Sequence, residues 1–199
     1  MGDALFKRSI SMTTHEIQNP DYDIWSHVTL SRYAYVISAL PIGKIKIAIG
    51  GYGKKVIPML SAYIPVPKVR LLIHRILDSV NPPSNGFSFE VIGGSSRDGV
   101  VESRILKFVF DAGQNGQFAS MPWRIVIGIG PGKLLETGGI SPIGKPTSVA
   151  DIRLSTDDMT MLALELEAHL RHRQGTYEYH RIREQRERHA QRTADPDAA

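Results

Sequence analysis

The sequence predicts an α+β domain: a mixed or antiparallel sheet around a central hairpin, helices packed on one face, and a basic helical tail. Three observations carry that prediction. Residues 87–110, FSFEVIGGSSRDGVVESRILKFVF, form two apolar runs joined by Arg97-Asp98-Gly99. A tight hairpin turn needs positive φ, and Gly supplies it without a Cβ clash. Residues 67–80 place Val69, Leu72, Ile73, Ile76, Leu77 and Val80 on one helical stripe, with Lys68, Arg70, His74 and Arg75 outside it. Residues 155–170 open with Ser155-Thr156-Asp157-Asp158, a capping pattern whose carboxylates suit the helix dipole. Met159, Leu162, Ala163, Leu166 and Leu170 then form a second stripe.

A chain of 199 residues suits one domain with tails and can bury a real core. Apolar residues make up 42% and charged residues 22%, ordinary globular usage. Without cysteine there is no disulfide framework, thiolate zinc site or cysteine nucleophile, and the composition fits a reducing, cytoplasmic setting. The apolar runs are broken well short of a membrane span. The first residues carry neither the apolar core of a signal peptide nor a myristoylation pattern. Between Arg171 and Arg192 stand seven Arg and three Glu, a balance equal to the whole chain's net +4, so the rest sums to zero. On that sum the basic character belongs to the tail. The expected organisation is a loose arm over 1–24, one α+β domain over 25–174 and a charged Arg-rich tail over 175–199.

The elements follow in order. Trp25 to Leu40 reads two ways: Tyr33, Val36, Ile37 and Leu40 have helical spacing, while the β-branched and aromatic content favours strand. Pro41 ends it in either case. Ile45, Ile47 and Ile49 alternate with Lys46 and Ala48 as a half-buried strand does. Gly50-Gly51-Tyr52-Gly53 reads as a turn. Lys55 to Tyr63 reads as a short helix broken by Pro65 and Pro67, with Pro67 then suited to the first turn of the next helix. Residues 81–86 close that helix. In the second hairpin run Leu106, Phe108 and Phe110 share a face that Glu102 and Arg104 extend toward the turn; Ile105 and Val109 lie on the other. With both faces largely apolar, this strand should be covered on both sides, or on one side and near a partner. Asp111 to Gln117 is a turn, Trp123 to Ile127 has strand composition, and 138–148 is loop. No internal repeat is visible.

Several segments offer chemistry, each with a plainer reading. Residues 139–146 approach the phosphate-loop pattern, yet Pro146 stands where a hydroxyl should hold Mg²⁺. Residues 50–53 lack the dinucleotide-loop spacing and its acidic ribose partner. His169, His172, His180 and His189 sit among arginines that repel cations, which favours a solvated face over a metal site. The Arg-rich tail could meet a polyanion, but its interleaved Glu residues, such as Glu184 before Arg188, suit an exposed helix. Nothing in the spacing of Ser120, Asp111 and His74 supports a triad.

The order of features from Ile45 to Pro146 resembles the C-terminal part of the saccharopine dehydrogenase-like oxidoreductases. The matching residues are PVPKVRLLIHRIL (65–77), NPPSNG (81–86), RDG (97–99), Asp111 and QFASM (117–121). Asp111-Ala112-Gly113 lacks the tyrosine of that pattern, with Phe118 standing nearby, and Ser120 replaces the usual Thr. The resemblance implies an α+β substrate or dimerisation domain, a helix over 121–135, and substrate contacts at Asp111, Phe118 and Ser120. It also implies that NAD(P) binds only with a separate Rossmann-type domain, since this chain has no glycine fingerprint and should bind no cofactor alone. The partners so expected are a second copy or a Rossmann-type chain, not nucleic acid. A non-catalytic dimerising or binding protein with a basic tail stays open beside it.

Overall fold

The computed structural model describes residues 23–52, 57–78, 86–173 and 175. The arm expected over 1–24, apart from its last two residues, and the tail beyond Gly175 lie outside them. So do Val80 and residues 81–85.

Two antiparallel sheets and two helices make the predicted α+β class, and every strand pairing is antiparallel. The first sheet is a meander of β1 (Asp23–Val28), β2 (Arg32–Ala39), β3 (Lys44–Gly51) and β4 (Ile57–Pro65). Helix α1 (Val66–Asp78) follows at once. The second sheet holds β5 (Ser88–Arg97), β6 (Val100–Phe110), β7 (Trp123–Leu134) and β9 (Ser148–Leu154), again in chain order. A short β8 (Ile140–Pro142) pairs with the far end of β7. Helix α2 occupies residues 156–173. Meander then helix thus occurs twice, a repetition of topology that leaves no repeat in the sequence.

The central hairpin forms as its turn dictates: Asp98 and Gly99 take φ of 52° and 78° between β5 and β6. The stripe of α1 is buried, with Leu72 0% and Ile76 4% exposed, so both are core residues. At the start of α2 the Ser155 Oγ accepts from the Asp158 backbone N–H (3.0 Å), and the Asp158 carboxylate accepts from the Ser155 backbone N–H (3.2 Å), completing the predicted capping box.

One open reading is decided and four change. The ambiguous Trp25 to Leu40 segment is a hairpin, whose inward residues Ala34 and Val36 are buried at period two. The short helix expected from Lys55 to Tyr63 is instead strand β4. Pairing with β3 over Ile45↔Ile64 to Ile49↔Leu60 decides it, and Pro58 is tolerated because β4 is an edge strand. The helix implied over 121–135 is strand β7: Trp123, Ile125 and Ile127 alternate into the core, between β6 and β9. Its glycines serve close packing rather than breaking it. A Cβ on Gly128 would lie 2.9 Å from Pro146, so the 143–147 connection rests on the sheet there. Part of the expected 138–148 loop is β8, and residues 50 and 51 end strand β3 rather than turn.

The inner faces of both sheets and both helical stripes share one apolar cluster, from Ile47 and Ile64 through Leu72 and Phe108 to Leu162. Each helix also touches the opposite half. Arg75 of α1 lies over Phe87 and Phe89, 5.0 and 5.7 Å from their centroids. His169 of α2 meets Ser38 of β2 at 2.9 Å, and Asp158 approaches His27 of β1 at 3.6 Å. Trp123 sits edge-on between Phe87 and Phe110.

Candidate functional site

Charge is distributed differently from what the tail suggests. No Asp or Glu occurs anywhere from residue 24 to residue 77, while that stretch carries eight Lys or Arg. The zero sum outside the tail therefore conceals an acid-free stretch over 24–77 offset by acidic residues elsewhere.

The first sheet's outer face comes from this stretch. Strand alternation sends Ala34, Val36, Ile47, Leu60 and Ala62 inward, so Tyr33, Tyr35, Ile37, Lys44, Lys46, Met59, Ser61 and Tyr63 point out. The register places Ile37, Lys46 and Tyr63 in one cross-strand row, and Tyr35, Ala48 and Ser61 in the next. In the following row Tyr33 lies directly across Gly50; a β-carbon at Gly50 would collide with the tyrosine ring, so glycine is what lets the ring lie flat on the strand. Tyr33 stacks within 10° of parallel on Tyr52 at 6.0 Å and meets Tyr35 at 5.4 Å. Tyr52 donates its hydroxyl to the Thr29 carbonyl, which ties the aromatic file to the β1–β2 turn. Tyr63, Tyr52 and Met59 are 37%, 42% and 44% exposed. At the margin Arg104 of β6 donates to the Ser61 carbonyl at 3.2 Å and pairs with Glu102 at 2.8 Å, closing the free edge of β4.

Such a face offers π-surfaces and ammonium groups, and its four strands carry a single acidic residue, Asp23, paired with Ile37 at the start of β1. It has the means to stack planar rings and to neutralise anions between them. It has no nucleophile–base pair and no convergent acid groups.

Of the residues singled out by the resemblance, two meet and one does not. Asp111 follows β6; its carboxylate accepts from the Gly113 N–H at 2.9 Å and pairs with Arg153 at 3.3 Å. The Gly113 hydrogen bond, and then Arg153, hold this carboxyl below the ordinary aspartate range. Arg153 also stacks on Phe118, 3.5 Å from the ring centroid, and donates to the carbonyls of Asp111 and Met121. Ser120 is exposed on the same loop, next to Met121, whose carbonyl Arg153 reaches. Arg153 thus pins the 111–122 loop against β9. His74 lies on α1, beside Asp78 at 3.7 Å, and joins neither.

His169 differs from the solvated face read for it: it is half-buried against Ser38, and this burial, with Arg173 adding to it, lowers its pKa. Among the described residues no three His, Asp or Glu side chains converge as a metal site would need. In the 139–146 phosphate-loop look-alike, Ile140–Pro142 is strand, Pro146 packs on Gly128, and the Thr147 N–H donates to the Ile129 carbonyl at 2.8 Å. A groove of about 680 Å³ separates α1 from α2, with Arg70, His74 and Arg171 along it. No helix among the described residues is long and apolar enough to cross a membrane.

No family model matches the chain. No curated protein matches it either.

Sequence reasoning missed the tyrosine face. The signal was available in the acid-free stretch and in the placing of four of the seven tyrosines between residues 33 and 63. Summing charge over the whole domain erased it.

Proposed function

We propose that the protein binds single-stranded nucleic acid on the outer face of its first sheet. One observation carries the reading: Tyr33, Tyr35, Tyr52 and Tyr63 share one side with Lys44 and Lys46, in a stretch without any acidic residue. Unpaired bases have free π-faces and stack on tyrosine irrespective of sequence, while lysines neutralise the backbone phosphates. A duplex hides its base faces, so this surface favours unpaired strands.

The oxidoreductase reading draws its support from Asp111 and Phe118 meeting at Arg153. The tyrosine face carries more, because it sets several aromatic rings beside lysines on one side of a sheet, whereas Arg153 already occupies the Asp111–Phe118 pair.

Fluorescence anisotropy with a labelled single-stranded oligonucleotide and its duplex tests the proposal. Saturable binding to the single strand, weakening as salt rises and poorer for the duplex, is expected. Equal affinity for both forms would reduce the face to a charge patch, and no binding at low salt would remove it.

A further inference from the structure

At one end of the tyrosine face stands the β1–β2 turn. Leu30 at its apex is 100% exposed, and Val28 beside it is 62% exposed. Val28 pairs with Tyr33, so it points to the same side as the tyrosine file. A lone exposed leucine is ordinary. This one is held out by a braced turn. Thr29 exchanges backbone and side-chain hydrogen bonds with Arg32: N–H to carbonyl at 2.8 Å, Arg32 N–H to Oγ1 at 3.0 Å, and Oγ1 to carbonyl at 3.2 Å. From beyond β3, Tyr52 donates its backbone N–H to the Ser31 carbonyl at 3.1 Å and its hydroxyl to the Thr29 carbonyl. The turn is thereby anchored to a member of the aromatic file.

We propose that this turn is a wedge that separates strands where a duplex opens into the single strand held on the tyrosine face. The inference rests on the single-strand reading above. A rigid apolar tip enters a base step by replacing base–base stacking with base–leucine contact, which removes the leucine from water. Bracing matters because a flexible tip would fold back under the load. Position matters too: Val28 of β1 lies directly across from Tyr33, so a strand stacked on Tyr33 and leaving toward β1 meets Val28 and then Leu30 where its next base would still be paired. The activity is destabilisation of the first base pairs at a junction, with no bond made or broken.

The test uses a forked duplex carrying 2-aminopurine at the first paired position, together with the matching single strand. The full chain should raise 2-aminopurine fluorescence at the fork as the base unstacks. Leu30→Ser should abolish that rise and weaken fork binding about tenfold, while single-strand affinity stays the same. Val28→Ser should give a smaller loss in the same direction. Circular dichroism should be unchanged for both, since both side chains are outside the core. Fork opening by Leu30→Ser equal to wild type overturns the wedge while leaving the single-strand reading intact. A wild-type chain that fails to bind the single strand overturns both. A Leu30→Ser change confined to oligomeric state would reassign the tip to a protein contact and also overturn the wedge.

Discussion

The outer faces of the two sheets make an instructive pair. Both belong to four-strand meanders whose inner faces share one core. The first is aromatic, and Asp23 at the start of β1 is the single acidic residue of its strands. The second is aliphatic, with Ile92, Ile105, Val126 and Val149 in adjoining rows, and its charges are paired within the sheet: Lys107 with Glu90 at 2.5 Å, Arg124 with Asp151 at 2.8 Å. Internal pairing leaves little field to attract an anion; Lys44 and Lys46 of the first face, which pair with no carboxylate among the described residues, leave more. Architecture alone therefore does not select a ligand. The same meander is equipped differently on its free side in each half.

The comparison breaks first if the halves do not share a core. Leu72→Ala, at the buried centre of α1, should cost about 2–5 kcal/mol, read as one cooperative denaturation transition for the whole protein. Two separate transitions would mean that the sheets fold independently.

Next comes the contrast between the faces. Tyr33→Ala or Tyr35→Ala should each lower single-strand affinity by about 1–3 kcal/mol, with the melting temperature little changed. Ile92→Ser and Val149→Ser should leave affinity unaltered. Equal losses from both faces would erase the distinction.

How far the sequence revealed this layout depends on where each signal lay. The hairpin turn at Asp98-Gly99, the α1 stripe and the Ser155–Asp158 cap were legible because each is local: a turn residue, a 3.6 period, a side chain reaching three residues along. Strand β4 was misread because Pro65 and Pro67 look like helix punctuation, and only its pairing with β3 reveals an edge strand. Strand β7 was half legible: the composition of Trp123 to Ile127 read as strand, while the resemblance implied a helix over 121–135, and Gly128 and Gly130 turn out to admit the 143–147 connection close to the sheet. The tyrosine face was legible residue by residue but not as a surface, since it requires four strands in register.

A smaller effect sharpens the description of the second half. Asp111 is held below the ordinary carboxylate range by the Gly113 N–H and then by Arg153. A depressed folded pKa stabilises the native state above the unfolded pKa and is lost as pH falls through the folded value. Asp111→Asn should therefore narrow the difference in stability between neutral pH and the acid side of the reference pKa of 3.8. Unchanged acid sensitivity in the variant would remove Arg153 and Asp111 as the pin of this loop.

The smallest expected effect concerns the tail. Truncation after Gly175 should leave the melting temperature nearly unchanged, because the capping box and the buried Met159–Leu170 stripe of α2 remain. It removes five Arg and five Asp or Glu, a net charge of zero, so binding to single strand and duplex should change little. A sharp fall in melting temperature would show that the tail packs on the domain or on a second copy.

Photocrosslinking to a single-stranded oligonucleotide with 5-bromouracil at successive positions, with the attached peptides mapped by mass spectrometry, tests the central claim most directly. The predicted adducts lie at Tyr33, Tyr35, Tyr52 and Tyr63, with none on β5 or β9. Adducts concentrated on the second sheet, or only beyond Gly175, would contradict it.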